Sequence, residues 1–173
     1  MSEASADALI AERGEQMFPT LNADEIDRLC RFGEPRSYSA GEAVVRAGEV
    51  GPGLALILEG EIEVTQRGET GRTRHIVTHR PGNFMGELAQ LSGRPYLVDE
   101  TARTDAQIMA ISPAKLRALL IAEAGLGERI MRALILRRVG LIESGAGPVV
   151  IGREGESDVL RLTNFLRRNG HRY

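Results

Sequence analysis

A chain of 173 residues has material for one full domain and a small appendage, and two complete cores would be cramped. Its hydrophobic content of 42% and charged content of 27% are those of a globular protein, with no apolar run long enough to cross a bilayer. The net charge of −2 argues against the basic stripe that a nucleic-acid binder carries.

The opening MSEASADALIAERGEQMF is polar and acidic and lacks the basic segment, apolar stretch and small-residue cleavage site of a secretory signal. The single cysteine, Cys30, has no partner for an internal disulfide, which points to a reducing compartment and a cytoplasmic location. It lies on the apolar side of a helical pattern and is expected to be a buried small residue.

Residues 1–19 form an N-terminal arm with little periodicity. Thr20 or Asn22 then caps a helix whose apolar face is Leu21, Ile26, Leu29 and Phe32, and Gly33 ends it. From Glu34 to Ile111 short runs alternate with glycine, proline and polar residues, the pattern of a chain that reverses repeatedly. The clearest strands are 43–45, 54–58, 62–64, 75–77 and 108–111. Leu54–Leu58 is apolar at every position and should be covered on both faces, whereas 60–64 alternates and should be half exposed. Glu59-Gly60 is a tight connection, and 66–74 a solvent-facing hairpin tip.

Ser112-Pro113 starts a helix through about Ile121, and Gly125 with Gly127 is expected to break it. A longer helix follows over about 126–143. Its apolar residues cover more than one face, so it needs a second burying surface, and a homodimer through this helix would supply one. After the Gly145-Ala-Gly-Pro break, 149–151 reads as a strand and 158–169 as an amphipathic helix. Together they read as a linker and the truncated start of a second α/β domain, 145–173, behind a main domain of 20–144.

Several short motifs stand in a set order: Ala40-Gly-Glu, Arg46-Ala-Gly-Glu, Leu56-Ile-Leu-Glu-Gly-Glu-Ile-Glu-Val, Pro81-Gly-Asn-Phe-Met-Gly-Glu-Leu-Ala and Leu91-Ser-Gly-Arg-Pro. Over about Thr20–Glu143 this order resembles the cyclic-nucleotide-binding domain family of the catabolite activator type. The resemblance implies a mainly β fold with flanking helices: an antiparallel β jelly roll followed by two C-terminal helices. It also implies a pocket at Gly86, Glu87, Leu88 and Ala89. Gly86 allows close backbone approach, and a short helix starting there would aim N–H groups at a phosphate. The family residue matching Glu87 accepts the ribose hydroxyls.

One departure bears on binding. Family members that bind cyclic nucleotides carry an arginine followed by serine or threonine just past the Gly-Arg-Pro turn, and that arginine neutralises the cyclic phosphate. Here Tyr96 and Leu97 occupy those positions. A tyrosine donates one neutral hydrogen bond, about half as strong as a charge-assisted one. Binding of cyclic AMP or cyclic GMP is therefore expected to be weak or lost, unless Arg137 and Arg138 of the long helix supply the charge. A cyclic nucleotide or another small anionic ligand is the expected partner.

Other readings fare worse. A genuine cyclic-nucleotide-binding transcription regulator would need a winged helix-turn-helix after Glu143, where a strand is predicted instead, so no DNA partner is expected. A cupin-like metal enzyme would need histidines and a carboxylate converging on one strand face. His75 and His79 are four apart, but Arg80-Pro-Gly marks a turn directly after them, and both are expected to be exposed strand-end residues. The chain holds no catalytic set, no metal site and no redox-active cysteine pair. The tail, Gly147-Pro-Val-Val-Ile-Gly and then Ser157–His171, is similar to the junction in bacterial proteins where such a domain precedes a thioredoxin-reductase-like flavoprotein. Any FAD, NADPH or oxidoreductase chemistry would then belong to a downstream domain of the same polypeptide.

Overall fold

The computed structural model describes residues 11–51, 53–67, 72–86, 95–143, 150, 152–153 and 155–168. Among them are eight strands: β1 (Glu34–Tyr38), β2 (Ala43–Val45), β3 (Leu54–Glu59), β4 (Ile62–Arg67), β5 (Thr73–His79), β6 (Phe84–Met85), β7 (Asp99–Ala102) and β8 (Ala106–Ile111). They form two four-stranded sheets, ordered β1-β8-β3-β6 and β2-β7-β4-β5, with every pairing antiparallel. This is the jelly-roll arrangement, and helices flank it: a segment at 11–17, then α1 (Ala23–Cys30), α2 (Pro113–Ala122), α3 (Ala124–Glu143) and α4 (Ser157–Arg168).

β3 explains the architecture. Leu54 and Leu56 enter one core with Phe84, Ile111, Leu29, Leu116 and Leu119, on the helix side of the sheet. Ala55 and Ile57 enter a second core with Ile62, Met85, Ala102 and Ile108, inside the roll. Because successive side chains point to opposite faces, a strand with cores on both sides must be apolar throughout. β4 meets only the inner core and alternates, burying Ile62, Val64 and Gln66.

Asn22 settles the capping of α1. Its Oδ1 accepts from the Glu25 amide at 2.9 Å, and Glu25 Oε2 accepts from the Asn22 amide at 2.9 Å, a reciprocal capping box. Glu25 also receives Arg129 Nη1 of α3 at 2.7 Å, and Arg129 Nη2 donates to the Thr20 carbonyl at 3.0 Å. The first helix is thereby tied to the long one. Cys30 is half-buried rather than buried, packed at the edge of the helix-side core.

The expected break at Gly125 and Gly127 is corrected. α2 ends at Ala122 and α3 starts at Ala124, running through both glycines. Gly127 has a packing role instead: an added Cβ would sit 3.1 Å from Leu120 Cα, so the missing side chain lets α3 lie close on α2. β1, β6 and β7 were not among the clear sequence strands. β1 is an edge strand with exposed side chains, held by β8 in the register Glu34↔Ala110 to Tyr38↔Ala106, and carries no apolar alternation to read. The strand expected at 149–151 lies outside the described residues except for Val150, and α4 matches the expected amphipathic helix up to Arg168. No helix among the described residues is long and apolar enough to cross a membrane.

Candidate ligand site

One end of the roll interior is lined by a third apolar group, Val45, Val64, Tyr96 and Val98, with Leu97 packed beside it. Two polar side chains share this buried space. Glu100 stands opposite both Val45 and Val64 in the sheet register and is 3% exposed, and Gln66 follows Val64 on the same face of β4. Glu100 and Gln66, each with polar interactions of its own, bring a carboxylate and an amide into an otherwise apolar interior. Neither residue falls in a motif that the sequence offers.

Tyr96 is part of the wall. It is 2% exposed, its ring lies against Gly51, and its hydroxyl donates to the Gly53 carbonyl at 3.0 Å. Its backbone is fixed as well: the Tyr96 amide donates to the Glu49 carbonyl and the Gly48 amide donates to the Tyr96 carbonyl, both at 2.9 Å. Tyr96 thus ties Gly48, Glu49 and Gly53 to the roll, and its hydroxyl is committed to backbone.

Below this space lies a second polar group that joins elements far apart in sequence. Arg137 of α3 is 6% exposed. Its Nε donates to the Met17 carbonyl at 2.6 Å, and Nη1 reaches the Gly86 carbonyl at 3.5 Å. Its Cζ stands 5.0 Å from the Phe18 ring centroid and 4.7 Å from that of Phe84, within cation–π range of both. Burial lowers the Arg137 pKa to about 10, partly offset by the negative Glu100, so the guanidinium stays charged at neutral pH.

The expectation of an exposed His79 is corrected: it is 3% exposed, its ring 5.8 Å from Phe18 between centroids. The apolar cover comes from Phe18 and the chain around Arg137, which sequence distance conceals. His75 is exposed, as expected, with Nε2 3.0 Å from Thr78 Oγ1. Burial first, and the positive Arg137 second, hold the His79 pKa well below its ordinary 6.5.

That shift has a signed consequence for stability. As pH falls through about 6.5 the unfolded imidazole takes up a proton that the folded one refuses, so stability present above that pH is lost below it. The slope contributed by one group reaches about 1.4 kcal/mol per pH unit until the folded value is reached. Urea unfolding at about pH 7.5 and 5.5 should show this loss in the wild type and a clearly smaller one in His79→Leu. Equal losses would refute the assignment. Glu25 titrates below the ordinary carboxylate value: burial pushes it up, but the hydrogen bond from the Asn22 backbone and the pull of Arg129 outweigh that.

Of the residues expected to form the pocket, Gly86 is described: it is buried, with φ 135°, a conformation that favours glycine. Glu87, Leu88 and Ala89 lie outside the described residues. Tyr96 and Leu97 line the roll interior, while Arg137 approaches Gly86 from the helix side. Arg138 is half-buried on α3. No group of histidine, cysteine and carboxylate side chains suited to a metal ion occurs among the described residues.

Comparison with known proteins bears on this geometry. Residues 35–123 match the family model of the cyclic nucleotide-binding domain. A cyclic nucleotide-gated potassium channel of Rhizobium etli is 28% identical over 124 residues, 72% of this chain and 33% of the channel. A CRP-like cAMP-activated global transcriptional regulator of Mycobacterium tuberculosis is 24% identical over 131 residues, 76% of this chain and 58% of the regulator. A cAMP-dependent protein kinase regulatory subunit of Blastocladiella emersonii is 39% identical over 79 residues, 46% of this chain and 20% of the subunit. The chain thus spans less than two thirds of each of these relatives. Among solved structures, the Thermus thermophilus catabolite activator protein shares the fold, with a TM-score of 0.61 at 20% identity over 90% of this chain and 88% of that one. The chain belongs to the cyclic nucleotide-binding domain family.

Proposed function

We propose that this domain senses a small anionic ligand and that its affinity for cyclic AMP and cyclic GMP is weak or lost. The observation that carries this reading is Tyr96, buried in the wall with its hydroxyl on the Gly53 carbonyl where a binding member of the family carries an arginine. Glu100 works in the same direction, since a buried carboxylate in the roll repels a phosphodiester. Isothermal calorimetry with both nucleotides should show dissociation constants well above the micromolar range, and low-micromolar binding of either would refute the reading. The pocket assignment extends to Glu87, Leu88 and Ala89 as ribose and phosphate contacts, with Arg138 near the mouth.

The domain division is part of the proposal: an arm at 1–19, the sensing domain at 20–144, and a segment at 145–173 that leads into a thioredoxin-reductase-like flavoprotein. Its support is the Gly147–Gly152 and Ser157–His171 sequence pattern, and FAD, NADPH and catalysis would lie in that further domain, in the cytoplasm. A native reading frame encoding no such domain would refute it. The Mycobacterium tuberculosis relative favours a second reading, a transcription regulator, which a winged helix-turn-helix in that frame would establish. Homodimerisation through α3 is supported by Ile135 and Val139, four residues apart and 45% and 40% exposed. Light scattering that reads a monomer at high concentration would refute it.

A further inference from the structure

Arg137 has more donors than the fold employs. Its Nε serves the Met17 carbonyl and Nη1 leans on Gly86, while Nη2 is buried with no hydrogen-bond partner. His79 Nδ1 is the other described side-chain atom in that condition, and its ring lies against the same Phe18 that Arg137 faces. Buried polar groups in native proteins are satisfied, so two unmet ones around a single phenylalanine mark a place for a missing partner. The aromatic rings of Phe18 and Phe84 cover the guanidinium, and its Nη2 edge remains for an acceptor. The charge of Glu100 acts on Arg137 as well and favours its protonated form.

The chemistry of such an edge is selective. A planar, permanently charged fork fits the oxygens of a carboxylate or a phosphate, and a neutral imidazole adds one more donor when Nδ1 carries its proton. Gly86, whose carbonyl lies 3.5 Å from Nη1, has no side chain to stand in the way of a ligand at that edge.

We propose that Arg137 is the anion donor of this domain: an oxyanion of a small ligand docks beside Gly86 on the Nη2 edge, bringing from α3 the charge that position 96 does not supply. The proposal rests on the ligand-sensing reading above and names the group that the ligand must carry. It also places the N-terminal segment under the ligand's influence, because the same guanidinium holds the Met17 carbonyl and faces Phe18.

Nuclear magnetic resonance of the whole chain tests it, following the Arg137 Nε–H and Gly86 amide signals during titration with inorganic phosphate, sodium acetate and cyclic AMP. The expected result is saturable movement of both signals by at least one of the three. Arg137→Gln should raise the concentration needed at Gly86 by about tenfold or more, the loss expected for one charged hydrogen bond, and Arg137→Lys by less. Phosphate without acetate identifies a phosphoryl ligand, and acetate without phosphate a carboxylate. If Arg137→Gln fails to fold, the wild-type Nε–H titration decides alone. Calorimetric binding of cyclic AMP with an unmoved Arg137 signal would overturn the proposal and leave the sensing role standing. No response to any of the three would overturn both.

Discussion

Replacing Tyr96 by arginine together with Leu97 by serine is expected to strengthen cyclic AMP binding by more than about a hundredfold, the equivalent of about 3 kcal/mol. A desolvated phosphate that meets only backbone N–H donors lacks the charge-assisted, two-pronged contact that an arginine provides. The same change should weaken the unliganded protein. It removes a ring packed with Val45, Val64 and Val98, takes the phenolic donor from the Gly53 carbonyl, and puts a cation into a space only partly balanced by Glu100. Truncations and buried charges of this kind cost about 2–4 kcal/mol. The signature is therefore a melting temperature below wild type without nucleotide and a large recovery when cyclic AMP is added. Calorimetry and thermal unfolding with and without nucleotide measure both halves. A destabilised variant that still does not bind would locate the defect elsewhere in the pocket and mark the site as vestigial.

Gly53→Ala should lower the melting temperature by on the order of 10 °C, which for a domain of this size corresponds to about 3 kcal/mol or more. Gly53 has φ 126°, a conformation that residues with a Cβ rarely adopt, and the added carbon would land inside the Ile111 carbonyl oxygen at the end of β8. Backbone on both sides leaves no flexible side chain to move aside. The damage reaches the site, because the Gly53 carbonyl is the acceptor for Tyr96. Differential scanning calorimetry on both proteins measures the shift, and a change of under about 2 °C would show that the loop relaxes around the extra carbon.

Much of the fold was legible because the burial pattern repeats at the period of each element. β3 reads as a two-sided strand, β4 as a one-sided one, and the Ser112-Pro113 cap places α2 to within a residue. β7 was missed for a physical reason: its inward residues are Glu100 and Ala102, so the alternation exists in space without a hydrophobic signal. The glycines of α3 misled because glycine in a helix usually weakens it; at Gly127 close contact with Leu120 offsets that cost, and nothing in the structure explains Gly125.

The site was less legible than the fold. Gly86 and Tyr96 came from the resemblance, not from periodicity. Arg137 stands in the run Leu-Arg-Arg-Val, where a solvated face is the ordinary reading, and His79 closes a strand beside a turn. Both are buried through Phe18 and Met17, from a segment whose sequence carries almost no signal. Long-range packing onto a weakly patterned arm is the kind of information a linear reading does not hold.

β3 carries a consequence for how this chain tolerates change. Leu56 and Ile57 are adjacent in sequence but belong to different cores, one shared with the helices and one enclosed by the roll. In a close-packed interior a shift of the strand by a fraction of an ångström to suit one core displaces the other. The two compartments therefore share a single movable partition, and substitutions on its opposite sides are coupled even where the side chains never meet.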